Sequence, residues 1–403
     1  MIGSLYAGIS GLKVNTKAMS VIGDNIANVN TTGFKTSKVS FANIFSASLG
    51  STENQIGRGV TLAGVNPVWD SGSLENTTSV TDLAVNGKGL FIVNNDDGSQ
   101  LYTRAGKFDF DKDGNLTTQD GLTVQGYAID ANGDFAPELS DIALPSANSI
   151  PLATDEFLMG INLDSTAEVG DEYTNSLTVY DSLGNAIPLT LTFKNTATGK
   201  WTATPSIPAS AGSVTSAAIQ VTFDGNGNLT APATDSVIQL TLTNGATSTQ
   251  DITWDLYENG STNGSLTGYS GASAASSQTQ DGYASGSLQG VSVDEDGVFT
   301  GLYSNGTMTP FAQIALADFA SYSGLAKMGS NLYSTSVNSG QATIGMPGSG
   351  SLGSVSPSSL EMSNVDLSDE FVQMITTQRA FQANSKVITT SDEILAELIN
   401  IKR

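Results

Sequence analysis

Cysteine and histidine are both absent from the 403 residues. Without cysteine there is no disulfide, no thiol nucleophile and no thiolate metal site. Without histidine the usual general base and the commonest metal ligand are missing. Basic residues are scarce: 16 Lys and Arg stand against 39 Asp and Glu, for a net charge of −23. Phosphate binding needs a basic face, so no nucleic-acid partner is expected, and like-charge repulsion should keep monomers apart in solution. No apolar run reaches 18 residues, so no membrane insertion is expected. The opening MIGSLYAGIS has no basic region, and its apolar positions are spaced rather than contiguous. It does not read as a cleaved secretory signal. Taken alone, these features point to a soluble, cytoplasmic chain of two or three domains.

What is present is concentrated at the two ends. From Asn364 the chain has no Pro or Gly, and Leu367, Phe371, Met374, Phe381, Ile388, Leu395 and Ile399 recur at alternating spacings of four and three. The breaks in that series are polar, at Gln378, Ser385 and Asp392. This predicts a long helix with one narrow apolar seam, as in a coiled coil. Asn364 is its predicted N-cap. Asp366, Asp369 and Glu370 near its start and Lys402 and Arg403 near its end suit the helix dipole. A seam that narrow needs a partner helix. Residues 1–30 offer one, with Leu5, Ile9, Leu12, Met19, Ile22, Ile26 and Val29 at similar spacing. Gly8, Gly11 and Gly23 each cost roughly 1 kcal/mol against Ala, so this helix should depend on packing. Its end is predicted at Asn30–Gly33, where Gly33 suits a left-handed turn and Phe34 follows as an apolar foothold. Asn25 and Asn28 flank the first seam, and Gln378, Arg379 and Asn384 the second. Such groups can fix register and partner choice. These two residue sets are the candidate assembly interface. The plainer reading is that the two helices pair inside one molecule.

Between the ends, turn signals dominate. Residues 31–70 read as an extended connector with short strands. From 71 to 144, strand-like runs such as Leu90–Val93 and Leu122–Tyr127 alternate with Asp-Gly turns. Residues 145–283 are rich in Ser, Thr, Ala and Gly, with predicted hairpins at Ser176–Phe193 and Val221–Leu229. Strand patterns resume from 284 to 360.

Several motifs suggest chemistry. Asp109, Asp111, Asp113, Gly114 and Asp120 fit a calcium loop of the EF-hand type, with Asp at the last position. The flanks read as strands rather than helices, so a hairpin turn is the better reading. Gly348–Gly353 matches GxGxxG but leads into Ser-Val-Ser-Pro, not a helix, so it is not a dinucleotide site. Ser10 and Lys13 match SxxK on an amphipathic helix with no pocket expected. Asp392, Glu393 and Glu397 read as a solvated helix face. No catalytic, cofactor or metal site is expected.

Four segments carry a family resemblance: NIANVNTTGFK (Asn25–Lys35), the run from Leu83 to Tyr127 containing YTRAGKF, the run from Ala315 to Gly340, and the run from Ser363 to Leu395. Together they resemble the rod, hook and hook-associated axial proteins of the bacterial flagellum. The resemblance implies a mainly β, nested, multi-domain axial protein. Residues 1–30 and 361–403 would form a paired coiled-coil stem, and 71–144 with 284–360 a β-rich core. Residues 145–283 would be an inserted outer β domain, which points to the hook branch because rod members lack it. The implied role is structural: a subunit that polymerises into a flexible curved tube and passes torque from rod to filament. Implied partners are further copies of itself, the rod, hook-cap and junction proteins, and the type III export apparatus. The implied place is outside the cell. A distal rod-type protein of the same family and a secreted calcium-binding adhesin are the alternatives.

Overall fold

A computed structural model describes residues 2–45, 57–95, 97–130, 133–257 and 264–401. Apart from two long helices and one short 3-10 turn, these residues are strands, turns and loops. The chain divides into two compact units. One comprises Met1–Pro145, Val291–Gly301 and Thr309–Arg403, and the other Ser146–Gly290 and Leu302–Met308.

In the first unit, α1 spans Ile2–Ala27 and α2 spans Leu367–Ile401. Asp366 opens α2, its Oδ1 accepting the N–H groups of Ser368 (2.8 Å) and Asp369 (3.4 Å). Asn364, the predicted cap, serves the loop beneath instead. It accepts from the Thr36 N–H at 2.7 Å and donates to the carbonyls of Val68 and Asp70. α1 stops before the predicted end. The Asn28 amide folds back onto the Asp24 carbonyl (2.9 Å), and the following backbone bonds tighten, with Val29 N–H reaching Ile26 O at 3.4 Å. Asn28 and Val29 therefore lie in a turn, not on the helix.

Residues 31–70 differ from the predicted connector of short strands. They form one long antiparallel pair, β1 (Ser37–Phe45) with β2 (Gly57–Pro67), bulged after Ser40. Val39 faces Val65 and Phe41 faces Leu62 across it, β-formers that suit a paired ribbon. The ribbon lies along α1, where Ser10 Oγ accepts the Val60 N–H at 3.2 Å. That bond gives Ser10 a structural role in place of the SxxK reading.

The core of this unit is organised by the strand Leu90–Asn94, buried on both faces. Phe91 and Val93 join Phe108, Leu116, Val124 and Phe299 on one side. Leu90 and Ile92 join Tyr102, Phe319 and Tyr333 on the other. A continuous apolar run is what such a strand requires. Short pairs then bring the two flanks of the core side by side: Leu83–Asn86 with Ser354–Pro357, and Leu74–Asn76 with Ser359–Glu361.

The second unit is a sandwich of a five-stranded and a six-stranded sheet around one cluster. The strand Ala186–Ala197 shows why: Ile187, Leu189, Leu191 and Phe193 alternate inward, with Pro188, Thr190 and Thr192 between them. Trp254 lies at the centre, stacked on Phe157 at 5.8 Å and edge-on to Phe193 at 6.0 Å. The predicted hairpins are present here, Glu172–Tyr180 with Ala186–Ala197 and Ile219–Phe223 with Leu229–Ala231.

One turn recurs through both units. Asp111, Asp181, Asp224 and Asp294 each accept two backbone N–H bonds through one carboxylate oxygen, from residues two and four positions on. The third residue on is always a glycine with positive φ: Gly114, Gly184, Gly227 and Gly297. The calcium-like loop is thus one instance of a general hairpin device. Its Asp111 carboxyl is held below the usual range by the Asn115 N–H and its neighbours.

Candidate assembly site at the helix pair and its junction with the core

The helices run antiparallel, with Gly8 beside Ile388, Gly11 beside Asn384 and Asn25 beside Glu370. The buried face of α1 is Gly8, Gly11, Val14, Ala18, Ile22 and Asn25. Of the predicted seam only Ile22 and the flanking Asn25 are on it. Leu5, Ile9, Leu12, Met19 and Ile26 are half-buried, on a face rotated by roughly 100° at 3.6 residues per turn. The reason is close approach. A Cβ at Gly11 would sit 2.8 Å from the Asn384 amide, and one at Gly8 3.0 Å from Ile388 Cγ1. Periodicity marks large apolar residues, whereas this contact selects small ones.

On α2 half the predicted seam holds. Met374, Ile388 and Leu395 are half-buried, and Phe381 lines a cleft with Thr16 and Met19. The alternate positions are shifted by one residue, so Glu370, Thr377, Asn384 and Ser391 replace Phe371, Gln378, Ser385 and Asp392 as the less exposed set, although Ser385 also stays half-buried. The consequence is an apolar surface left outside. Leu367 is exposed, and Phe371, Val372 and Ile375 are 50%, 61% and 52% exposed. Gln378 and Arg379 are exposed as well. The Ile399 side chain, Lys402 and Arg403 lie outside the described residues.

Where the helices meet the core, three of the four motif segments converge on buried charges. The Glu361 carboxylate accepts from Lys35 Nζ at 2.7 Å, from the Gly72 N–H at 2.8 Å, and from Arg104 Nε. Arg104 donates further to the carbonyls of Val85 (2.6 Å), Gly87 (2.8 Å) and Gly89. Lys35 Nζ also reaches the Asp70 carbonyl at 2.8 Å. All three charged side chains are at most 5% exposed. Burial opposes ionisation of Glu361, but Arg104 and Lys35 outweigh it and hold the carboxyl below its ordinary range. Burial lowers Lys35 as well, with Glu361 offsetting part of the effect.

The chain between these groups is gripped residue by residue. Gly33 N–H donates to the Glu361 carbonyl at 2.7 Å. Gly33 has φ +69°, and a Cβ there would meet the Ala105 nitrogen at 2.6 Å. Phe34 is buried. Asn25 exchanges bonds with Ser37 (Ser37 N–H to Oδ1, 2.9 Å; Nδ2 to Ser37 O, 3.0 Å) and donates to Glu370 Oε1 at 3.0 Å. Glu370 also accepts from Thr36 Oγ1 at 3.3 Å. Two cations and two carboxylates are therefore buried together. Lys35, Arg104 and Glu361 had no assigned role from the sequence, and Glu370 read only as an acidic group near the start of its helix. Nothing in their sequence surroundings sets them apart: Lys35 comes soon after a run of Asn and Thr, Glu370 follows Asp369, and Glu361 lies just before the fourth motif segment.

Comparison with known proteins matches four family models in chain order. These are the flagella basal body rod protein (residues 5–35), the flagellar hook protein FlgE/F/G D1 domain (84–168), the flagellar basal body protein FlaE D2 domain (152–283) and the flagellar basal body rod FlgEFG protein C-terminal region (356–401). Over its full length the chain is 34% identical to the flagellar hook protein FlgE of Borreliella burgdorferi, all of which is covered. The chain belongs to the flagellar hook protein family. It is 35% identical to the hook protein of Escherichia coli, over 98% of each chain, and 35% to that of Salmonella typhimurium, over 99% and 100%. Among solved structures, the hook protein FlgE2 of Helicobacter pylori shares the fold, with a TM-score of 0.53 over 70% of this chain and 98% of that one, at 15% identity. The mainly β hook-family fold with terminal helices agrees with the fold class expected from the motifs.

Proposed function

We propose that this chain is the structural subunit of the bacterial flagellar hook and polymerises helically outside the cell into a flexible tube that carries torque from rod to filament. The helix pair is the stem of the polymer, the strands of 71–144 and 284–360 its core, and 145–283 its outer domain. The observation that carries the reading is the unpaired apolar face of the stem. A 35-residue helix leaves Leu367, Phe371, Val372 and Ile375 in water while turning Glu370, Thr377, Asn384 and Ser391 inward beside Met374, Ile388 and Leu395. Neighbouring copies are the natural cover, because each copy brings the same face and the half-buried Leu5–Met19 side of α1. Burial there releases roughly 25 cal/mol per Å². The other partners are the rod, hook-cap and junction proteins, reached after export through the flagellar apparatus. The role is mechanical, not catalytic.

Negative-stain microscopy of protein driven to polymerise at high concentration tests this. Smooth bendable tubes are expected, and none from chains lacking 1–30 or 364–403. A monomer with intact, protease-resistant ends would overturn the reading.

A further inference from the structure

We propose that Lys35, Arg104 and Glu361 are positioning residues for assembly: they form a latch that docks both terminal segments on the core together, and so presents the helix pair for polymerisation. This rests on the assembly reading above. The argument begins with sequence separation. Glu361 lies 326 residues from Lys35 and 257 from Arg104. Each member sits on a different segment: Lys35 follows α1, Arg104 belongs to the core, and Glu361 precedes α2. With the segment before α2 undocked, Lys35 and Arg104 would be left in a dry site without their carboxylate, which is strongly unfavourable. With the segment after α1 undocked, Glu361 would keep Arg104 but lose the Lys35 bond. Docking one end therefore favours docking the other.

Stability alone does not explain such a group. Replacing a buried ion cluster with apolar side chains of similar size is often neutral or stabilising. What apolar groups cannot supply is direction. Glu361 holds the Gly72 N–H, Lys35 and Arg104 at once, and Arg104 spreads three further bonds over the carbonyls of Val85, Gly87 and Gly89. Lys35 adds the Asp70 carbonyl, just beyond β2. The bonds thus fix the strand exits on both sides of the stem against one core site. The adjoining Asn25–Glu370–Thr36 bonds pass that placement to the facing ends of α1 and α2.

The test uses the full chain, read by hydrogen exchange in the monomer and by tube formation. In Glu361→Gln, amides of residues 34–44, 58–70 and 362–372 should exchange about tenfold faster or more, as in a local opening. Strands 90–94 and 123–129 should keep their protection, and tubes should be lost. The variant Lys35→Met/Arg104→Met/Glu361→Met separates positioning from packing and remains decisive if Glu361→Gln fails to fold. It should recover the thermal stability of the core while its terminal segments still exchange fast and it still forms no tubes. Wild-type protection and tubes in Glu361→Gln would overturn the inference, and so would tubes from the triple Met variant. If the unaltered chain forms no tubes, the assembly reading fails, whereas the exchange comparison in the monomer still decides whether the latch exists.

Discussion

The sandwich of the second unit and the helix pair of the first solve burial in opposite ways. In the sandwich, Phe157, Leu189, Leu191, Phe193, Trp201 and Trp254 are fully enclosed by their own sheets. In the helix pair, the buried apolar side chains are Val14, Ala18 and Ile22, while α2 turns Phe371, Val372 and Ile375 outward. One region is finished within the monomer. The other has the surface of a core with half its cover missing. The largest effect that would break this contrast is on the sandwich side. Trp254→Ala should destabilise its unit by about 3–5 kcal/mol, seen as a lowered melting transition. Phe371→Ala should change monomer stability by no more than about 0.5 kcal/mol yet suppress tube formation. If Phe371→Ala unfolded the monomer, the helix pair would be a finished domain and the contrast would fail.

The same contrast explains what the sequence made legible. In the sandwich and core, each strand is packed by its own chain, so alternation and Asp-Gly turns point to hairpins that exist: Leu177 faces Leu189 as the pattern requires. In the stem, the large apolar residues were legible, but not which of them this chain would cover. Gly8 and Gly11 read as propensity penalties and are instead points of close approach between the helices. Short strands in 31–70 were legible, but not their pairing into the long β1–β2 ribbon, because its apolar residues face little within the monomer: Phe41 and Val65 stay exposed. The charged junction was missed because Glu361 lies hundreds of residues from Lys35 and Arg104 and only the fold brings them together.

The next largest effect is pH. Lys35 and Arg104, with Asp70 beside Lys35, are the charged groups facing Glu361. Its folded carboxyl titrates below its ordinary value of 4.5. The stabilisation is therefore fully present above that value and is lost as the pH falls through the depressed one. Protease sensitivity of the terminal segments should rise on acidification below pH 4.5, before the sandwich opens. Glu361→Gln should be sensitive already at neutral pH and lack that step. Sandwich and stem opening together in the unaltered chain would remove the contrast between them.

A smaller effect probes the close approach. In Gly11→Ala, overpacking against Asn384 opposes a propensity gain of roughly 1 kcal/mol, for a net loss of about 1 kcal/mol. Adding Asn384→Ala should relieve the clash and restore helix stability, measured by the melting of the helical circular-dichroism signal. Stabilisation by Gly11→Ala alone would mean that the two helices do not approach this closely.

Gly23→Ala has the smallest effect on the monomer and separates the two faces of α1 most sharply. Gly23 lies inside α1, exposed, and a Cβ there would meet nothing within 4 Å. Within the monomer the substitution can only help, by up to about 1 kcal/mol of helix propensity. Yet Gly23 is on the rotated face, in line with Leu12, Thr16 and Met19, which the helix pair leaves half open. If a neighbouring copy packs there, an added methyl meets its side chains and tubes should form more slowly or only at higher concentration. Melting would then rise as assembly falls, in a single variant. A stabilised monomer that assembles as readily as before would mean that no neighbour packs on this face of α1, and the outward stripe of α2 would have to carry the contact.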